Sequence, residues 1–248
     1  KIHIDILIVA GWQRLIPEWL INHCKICAIG SHGSPMGITK GRGRSPQNWS
    51  IILGLKKFYI SIFRINKNID SGDIIETRSF EISPYDNIKT SYYKTIILVS
   101  RMLINFIKNS NSKKIKFLNQ NEKNAEYFPK RKPEDGLIDW TRKNEEIRNF
   151  TRALSKPYPG AFTYLKDVKV KIWNLIPFDI DLMIKLKPGT IYKIFNKNDL
   201  LIKTSESFVL VDDFEIEKKD FKLKIGMKFE TISFKKQIKR ILKRHKKK

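Results

Sequence analysis

Apolar positions along the chain fall into short runs in the first half and into shorter, more closely spaced runs in the second. Residues 5–11, Asp-Ile-Leu-Ile-Val-Ala-Gly, form an apolar run ended by glycine and predict a buried parallel strand. Residues 13–20 carry apolar side chains at helical spacing, with Pro17 near a helix start. Residues 26–30 predict a second short strand that delivers His32 at its carboxyl end. Ser45 has the chemistry of an N-cap and Pro46 that of a first helical residue, with Trp49, Ile52 and Leu53 as the buried face. Residues 58–65 and 74–82 predict two further strands, the second returning along the sheet. Residues 86–108 repeat at helical period through Ile88, Tyr92, Thr95, Ile96, Val99, Met102, Leu103 and Phe106, so this helix is expected to pack on the sheet, with Tyr92 and Tyr93 as core.

A polar stretch at 109–114 ends that unit. Then come Glu134-Asp135-Gly136, a turn by composition, and Ile138-Asp139-Trp140. Residues 145–154 predict a short amphipathic helix, and Pro157-Tyr158-Pro159-Gly160 an extended loop. Strands at 168–173, 189–194, 200–204 and 208–211 are split by turns, and spacing this close predicts a small barrel.

Composition adds a charge question. The chain has 248 residues, enough for one large or two modest domains, and 41% of them are hydrophobic, enough for a core. Its net charge of +24 suits nucleic acid, anionic lipid or phosphorylated small molecules. The competing reading is a composition rich in Lys, Ile and Asn, because the lysines are spread along the chain. The exception is residues 236–248, a basic tail expected to be solvated. Cys24 and Cys27 stand as Cys-x-x-Cys beside His23, but no second pair exists to complete a zinc site, so no metal is expected. Two ordinary thiols in a reducing cytoplasm is the reading adopted. No apolar run reaches the ~18 residues of a membrane span, so no membrane association is expected, and no secretory signal opens the chain.

The candidate chemistry lies between residues 30 and 72. Gly30-Ser31-His32-Gly33-Ser34 places a histidine in a glycine-rich loop, and Gly41-Arg42-Gly43-Arg44-Ser45-Pro46 follows. Asp70-Ser71-Gly72 is a second loop that can bring an acid beside the histidine. Histidine moves protons near neutral pH, and an aspartate bonded to one ring nitrogen fixes the tautomer and raises the basicity of the other. One His and one Asp alone equally describe a hydrogen-bonded structural pair. The glycine-rich stretch lacks the G-x-x-x-x-G-K-[ST] pattern of an NTP-binding loop.

These residues resemble the folate-dependent formyltransferase family, whose members carry Asn-x-His-x-Ser, a Leu-Pro with Arg-Gly-x-x-Pro, and Asp-x-Gly. His32, Ser34, Arg42, Gly43 and Pro46 match the first part, and Asp70-Ser71-Gly72 the last. The family's catalytic Asn falls on Gly30, and Pro35-Met36-Gly37 lies where its Leu-Pro is expected. The run from Asp135-Gly136-Leu137-Ile138-Asp139-Trp140 through Arg152-Ala153 to Pro159-Gly160-Ala161-Phe162 resembles the linker into the family's C-terminal domain, in the form found in aminosugar formyltransferases.

The resemblance implies an α/β protein with a Rossmann-like parallel-sheet catalytic domain at 1–130. A linker at 131–160, an OB-like barrel at 161–235 and the basic tail at 236–248 follow it. It also implies that the family's first strands precede Asp5. His32 and Asp70 are then the catalytic pair, with Gly11, Gly30, Ser34, Arg42, Gly43 and Gly72 as loop residues for substrate and cofactor. N10-formyltetrahydrofolate is the implied co-substrate. Asp70 takes or relays the amine proton, and His32 hydrogen-bonds the tetrahedral oxygen or passes protons. Ser31 or Ser34 is left to replace the missing Asn, and Arg42 and Arg44 either set the loop or meet a phosphate. The amine is expected on a nucleotide-linked aminosugar. Methionyl-tRNA is the alternative, and a non-catalytic remnant or basic binding module the reading of another class. A homodimer stays open.

Overall fold

A computed structural model describes residues 3–12, 14–110, 115–195, 198–218 and 220–246. The chain divides into two compact units, the first made of Lys1–Ser50, Leu55–Tyr85 and Thr90–Pro129, the second of Ile51–Gly54, Asp86–Lys89 and Lys130–Lys248.

The first unit is built on a four-stranded mixed sheet. In chain order its elements are β1 (Ile4–Val9), α1 (Glu18–Asn22), β2 (Cys24–Ser34), β3 (Arg42–Gly43), α2 (Pro46–Ile52), β4 (Lys57–Arg64), β5 (Ile74–Glu81), α3 (Ile88–Asn109) and β6 (Tyr127–Phe128). The sheet order is β1-β2-β4-β5, with β1 parallel to β2 and the other pairs antiparallel. Ala28, Ile29, Phe58, Ile60 and Ile62 are 0–1% exposed and form its core. Burial of each such side chain contributes about 1.5–3 kcal/mol before entropy is counted. A separate parallel pair joins β3 to β6.

Several local expectations change. The first helix starts only after Pro17, whose extended backbone (ψ 137°) ends the loop before it; Gln13, in the expected helix, lies outside the described residues. Helix α2 does start at Pro46, but Ser45 sits at φ 58°, outside the extended region of an ordinary N-cap. Its buried apolar residues are Trp49, Ile51 and Ile52, while Leu53 is 51% exposed. In α3, Ile88, Met102 and Phe106 are buried, yet Tyr93 and Ile96 are exposed. Its buried face carries polar contacts too: Gln47 Nε2 donates to Ser91 Oγ (2.7 Å) and Thr95 Oγ1 (2.9 Å). The polar stretch at 109–114 lies in part outside the described residues.

The second unit contains α4 (Asn144–Ala153), β7 (Ala161–Leu165), β8 (Val168–Phe178), β9 (Ile191–Ile194), β10 (Leu200–Lys203), β11 (Phe208–Ile216) and α5 (Phe234–Lys246). Its antiparallel sheet runs β7-β8-β11-β10-β9, and among the described residues β7 and β9 do not pair, so no closed barrel forms. An irregular segment satisfies both edges instead. Met227 O accepts from Ile191 N at the β9 edge, and Glu230 N donates to Tyr164 O at the β7 edge, both at 2.8 Å. Trp140 is fully buried, stacks on Phe229 with ring centroids 5.8 Å apart, and donates Nε1–H to Thr163 Oγ1 at 3.2 Å.

The basic run expected to be a solvated tail is instead helix α5. Gln237 and Ile241, one turn apart, are its buried positions, and Asp139 Oδ2 accepts from Phe234 N at its start (2.7 Å). Arg240 and Arg244 reach Asp135, whose side chain is fully buried. Burial pushes the Asp135 carboxyl up, but the Arg244 hydrogen bond, the Lys132 amide and the charges of Arg244 and Arg131 outweigh it and hold the group below its ordinary value. No helix among the described residues is long and apolar enough to cross a membrane.

Candidate active site

The stretch expected to be a glycine-rich loop is strand. β2 continues through Ser34, with His32 opposite Ser61 and Gly33 opposite Ile60 on β4. Gly33 allows this, since a Cβ there would lie 2.6 Å from the Phe58 ring. A side chain at 33 would therefore force the sheet and its core apart. His32 comes to rest near the carboxyl end of a strand, the side of an open α/β sheet where ligands bind.

The His32 side chain is 13% exposed and that of Asp70 21%, so both are shielded yet reachable. His32 Nε2 donates to Gly41 O at 2.9 Å, and Nδ1 faces Asp70 Oδ2 at 3.6 Å. The carbonyl fixes the proton on Nε2, so in the neutral ring Nδ1 is the acceptor. A proton reaching Asp70 Oδ2 then faces a base. At 3.6 Å the pair is longer than a hydrogen bond, and such contacts commonly tighten when substrate binds.

Asp70 holds φ 50°, in the left-handed region, where a non-glycine residue is uncommon. Gly43 N points at Asp70 Oδ2 from 3.4 Å. Gly72 closes the same turn against β4: a Cβ there would stand 1.6 Å from Arg64 O, so only glycine fits.

Behind the pair lies a polar cluster. Arg42 is fully buried and donates to Glu122 (2.8 and 2.6 Å), Gln120 Oε1 (2.9 Å) and Tyr127 Oη (3.1 Å). The Glu122 hydrogen bond, strengthened by Tyr127 against burial, pushes Arg42 further up, and the same bond pulls the Glu122 carboxyl below its ordinary value. Gln120 Nε2 donates to the carbonyls of Asp70 (2.9 Å) and Gly72 (2.7 Å). The β3–β6 pairing places Arg42 beside Tyr127 and Gly43 beside Phe128.

His32, Asp70, Arg42, Gly43 and Gly72 thus come together. Arg42 is part of the interior, which favours the loop-setting role over a phosphate ligand; Arg44 is exposed. Ser34 Oγ donates to Gly37 O (2.5 Å) and accepts from Met36 N (3.2 Å), so it closes a turn. Ser31 alternates to the opposite strand face from His32. At Gly30 itself, a Cβ would meet the Phe63 ring at 3.1 Å and Ile65 at 3.2 Å, so apolar side chains crowd the space. Gly11, at φ 69°, turns the chain just beyond β1, where Val9 pairs with Gly30, and nothing lies within 4 Å of its Cβ position. Burial pushes both the Cys24 and Cys27 thiols up, which disfavours thiolate chemistry. Gln120, Glu122 and Tyr127, and their partner Thr39, were not anticipated. The segment at 120–127 is short, polar and without periodicity, and its pairing with residues about eighty positions earlier leaves no local signal.

The family model "Formyl transferase" matches residues 1–107, and "Formyl transferase, C-terminal domain" matches residues 130–223. The bifunctional polymyxin resistance protein ArnA of Wigglesworthia glossinidia brevipalpis is 35% identical over 207 residues, 82% of this chain and 30% of the relative. HypX from Aquifex aeolicus in complex with tetrahydrofolic acid superposes with a TM-score of 0.67 at 20% identity, over 87% of this chain and 36% of that one. An N-formyltransferase from Helicobacter canadensis, in complex with folinic acid and dTDP-3-aminofucose, gives a TM-score of 0.62 at 16% identity, over 82% of this chain and 72% of that one. The last two likenesses concern the fold. With both family models matched in chain order, one spanning His32 and Asp70 within the first unit and the other lying on the second, this chain belongs to the formyl transferase family.

Proposed function

We propose that the chain carries a formyl-transfer centre that uses N10-formyltetrahydrofolate and an amine, most plainly that of a nucleotide-linked aminosugar. The observation that carries the reading is the His32–Asp70 pair, 3.6 Å apart and partly shielded, beside the Gly41–Gly43 backbone. The open turn at Gly11, alongside Gly30 on the neighbouring strand, suits a flat heterocycle met by backbone groups. The aminosugar rests on the 35% identity to ArnA and on the Pro159-Gly160-Ala161-Phe162 sequence.

In this reading the bound folate supplies the formyl group. A C–N bond to the amine forms, the C–N bond to the folate nitrogen breaks, and one proton passes from the amine to the leaving nitrogen. Asp70 Oδ2 accepts the amine proton and His32 Nδ1 receives it from Asp70. His32, as the cation, then gives that proton from Nδ1 to the folate nitrogen as its C–N bond breaks, while Nε2 stays bonded to Gly41 O. With Gly30 in place of Asn, a donor to the formyl oxygen, where charge grows, is absent, a loss that typically costs ~10²–10³ in rate.

The net charge of +24 favours methionyl-tRNA as a second acceptor. The test is formylation by the purified protein of a panel of aminosugar nucleotides and of methionyl-tRNA, with product mass as the readout. Salt-sensitive activity on tRNA alone would replace the sugar reading. Folate-independent behaviour of a folded protein on every acceptor would support the binding-module reading instead.

A further inference from the structure

Gln120 ties the backbone of the acid loop to the loop facing His32. Its Nε2 donates to Asp70 O at 2.9 Å and to Gly72 O at 2.7 Å. Its Oε1 accepts from Thr39 Oγ1 at 3.1 Å and Arg42 NH2 at 2.9 Å. A primary amide has two donors and two acceptor positions, and all four are used here. One end therefore clamps a turn whose first residue sits at φ 50°. The other end holds residues 39–42, whose Gly41 carbonyl orients the His32 ring.

We infer that Gln120 is a positioning residue for Asp70. It keeps the carboxylate aimed at His32 Nδ1 by clamping the backbone that follows the left-handed Cα of residue 70, at the carbonyls of Asp70 and Gly72. Holding a non-glycine residue in this conformation takes surrounding contacts that over-determine it. Asp70 has few alternatives to this clamp: among the described residues its own side chain meets the backbone through Gly43 N alone, at 3.4 Å. The chemistry requires the Gln donors rather than its size. Gln120→Glu keeps the shape and the acceptors but loses both donors, and it sets a carboxylate against two carbonyls.

The inference rests on the proposed role of Asp70, and the test separates the two. The kcat and KM of formyl transfer are measured for wild type, Gln120→Ala, Gln120→Glu, Asp70→Asn and the Gln120→Ala/Asp70→Asn double variant. Both Gln120 variants are expected to lower kcat about 10- to 100-fold with KM nearly unchanged, the size of loss that a misplacement of about 1 Å produces. In the Asp70→Asn background, Gln120→Ala is expected to cost nothing further, because its target is already gone. Equal losses in both backgrounds would overturn the positioning role and leave Asp70 as proposed. Full activity of Asp70→Asn would overturn the role of Asp70 itself. A readout independent of turnover is hydrogen exchange at Gly43 N and at Arg64 N, which donates to Asp73 O at 2.8 Å beside the clamped turn. Gln120→Ala is expected to speed both at least tenfold more than it speeds exchange in the β2–β4 pairing, which separates opening of the turn from any loss of global stability, and unchanged exchange overturns the inference.

Discussion

Replacing Arg42 with methionine separates two roles that an arginine in a glycine-rich loop can have. In the structure the side chain has no exposed surface and makes four donor contacts, two to Glu122, one to Gln120 and one to Tyr127. The Glu122 side chain is 60% exposed and returns to water on loss of its partner, so that ion pair counts at the surface rate of about 0–1 kcal/mol. The Gln120 and Tyr127 contacts are hydrogen bonds to a charged group, about 1.5–3 kcal/mol each before desolvation. Methionine fills most of the space and removes the need to bury a guanidinium, which offsets part of that gain. The net loss is about 2–3 kcal/mol. With a urea slope of about 1–3 kcal/mol/M, the first unit's midpoint should fall by about 0.7–3 M, read by near-ultraviolet circular dichroism. Because Arg42 also carries β3 to the Gly43–Asp70 contact, kcat should fall with it. An unchanged midpoint with a raised KM for the proposed aminosugar nucleotide would refute this, because it would make Arg42 a phosphate ligand.

Further outcomes follow from the same packing. Gly30→Asn, which restores the family's residue, should destabilise the first unit by about 1–3 kcal/mol through the Phe63 and Ile65 contacts and should not raise the rate of formyl transfer; a faster enzyme of unchanged stability would contradict this. Asp135→Asn removes a fully buried charge from Arg244 and Arg240 and should cost the second unit about 3–5 kcal/mol in urea unfolding. Because the Asp135 carboxyl lies below its ordinary value of 3.8, its contribution is complete above that pH and is lost as pH falls through the lower, folded value. The acid limb of the stability curve should therefore be shallower in Asp135→Asn than in wild type, and parallel limbs would count against the assignment.

The regular elements were legible where burial is local. The apolar run before Gly11, the Pro46 helix start and the alternation from Phe58 onward all carry their cause within a few residues. The chemistry-bearing types, His32 and Asp70, stood out as a pair because the residues around them, His32-x-Ser34, Arg42-Gly43-x-x-Pro46 and Asp70-x-Gly72, resemble the family's motifs, and the structure brings the two to 3.6 Å. What was not legible depends on distant partners. Gly33 and Ser34 look like loop residues, and only the Phe58 ring packed against Gly33 shows why they extend a strand. Helix α5 buries just Gln237 and Ile241, too sparse an apolar pattern to stand out among lysines, and its start depends on Asp139 ninety-five positions earlier. Arg42 reads as a surface cation until residues 120–127 fold back over it. The exposed Leu53, beside buried Ile51 and Ile52, shows the smaller error of choosing a helix face from three residues.

The most direct test compares formyl transfer from N10-formyltetrahydrofolate to an aminosugar nucleotide by wild type and Asp70→Asn, at saturating substrate and with matched unfolding midpoints. A carboxamide keeps the shape at position 70 but cannot accept the amine proton, so kcat should drop at least 10²-fold, the lower range for a positioned general base. Equal rates in the two proteins would contradict the claim that the His32–Asp70 pair carries the proton.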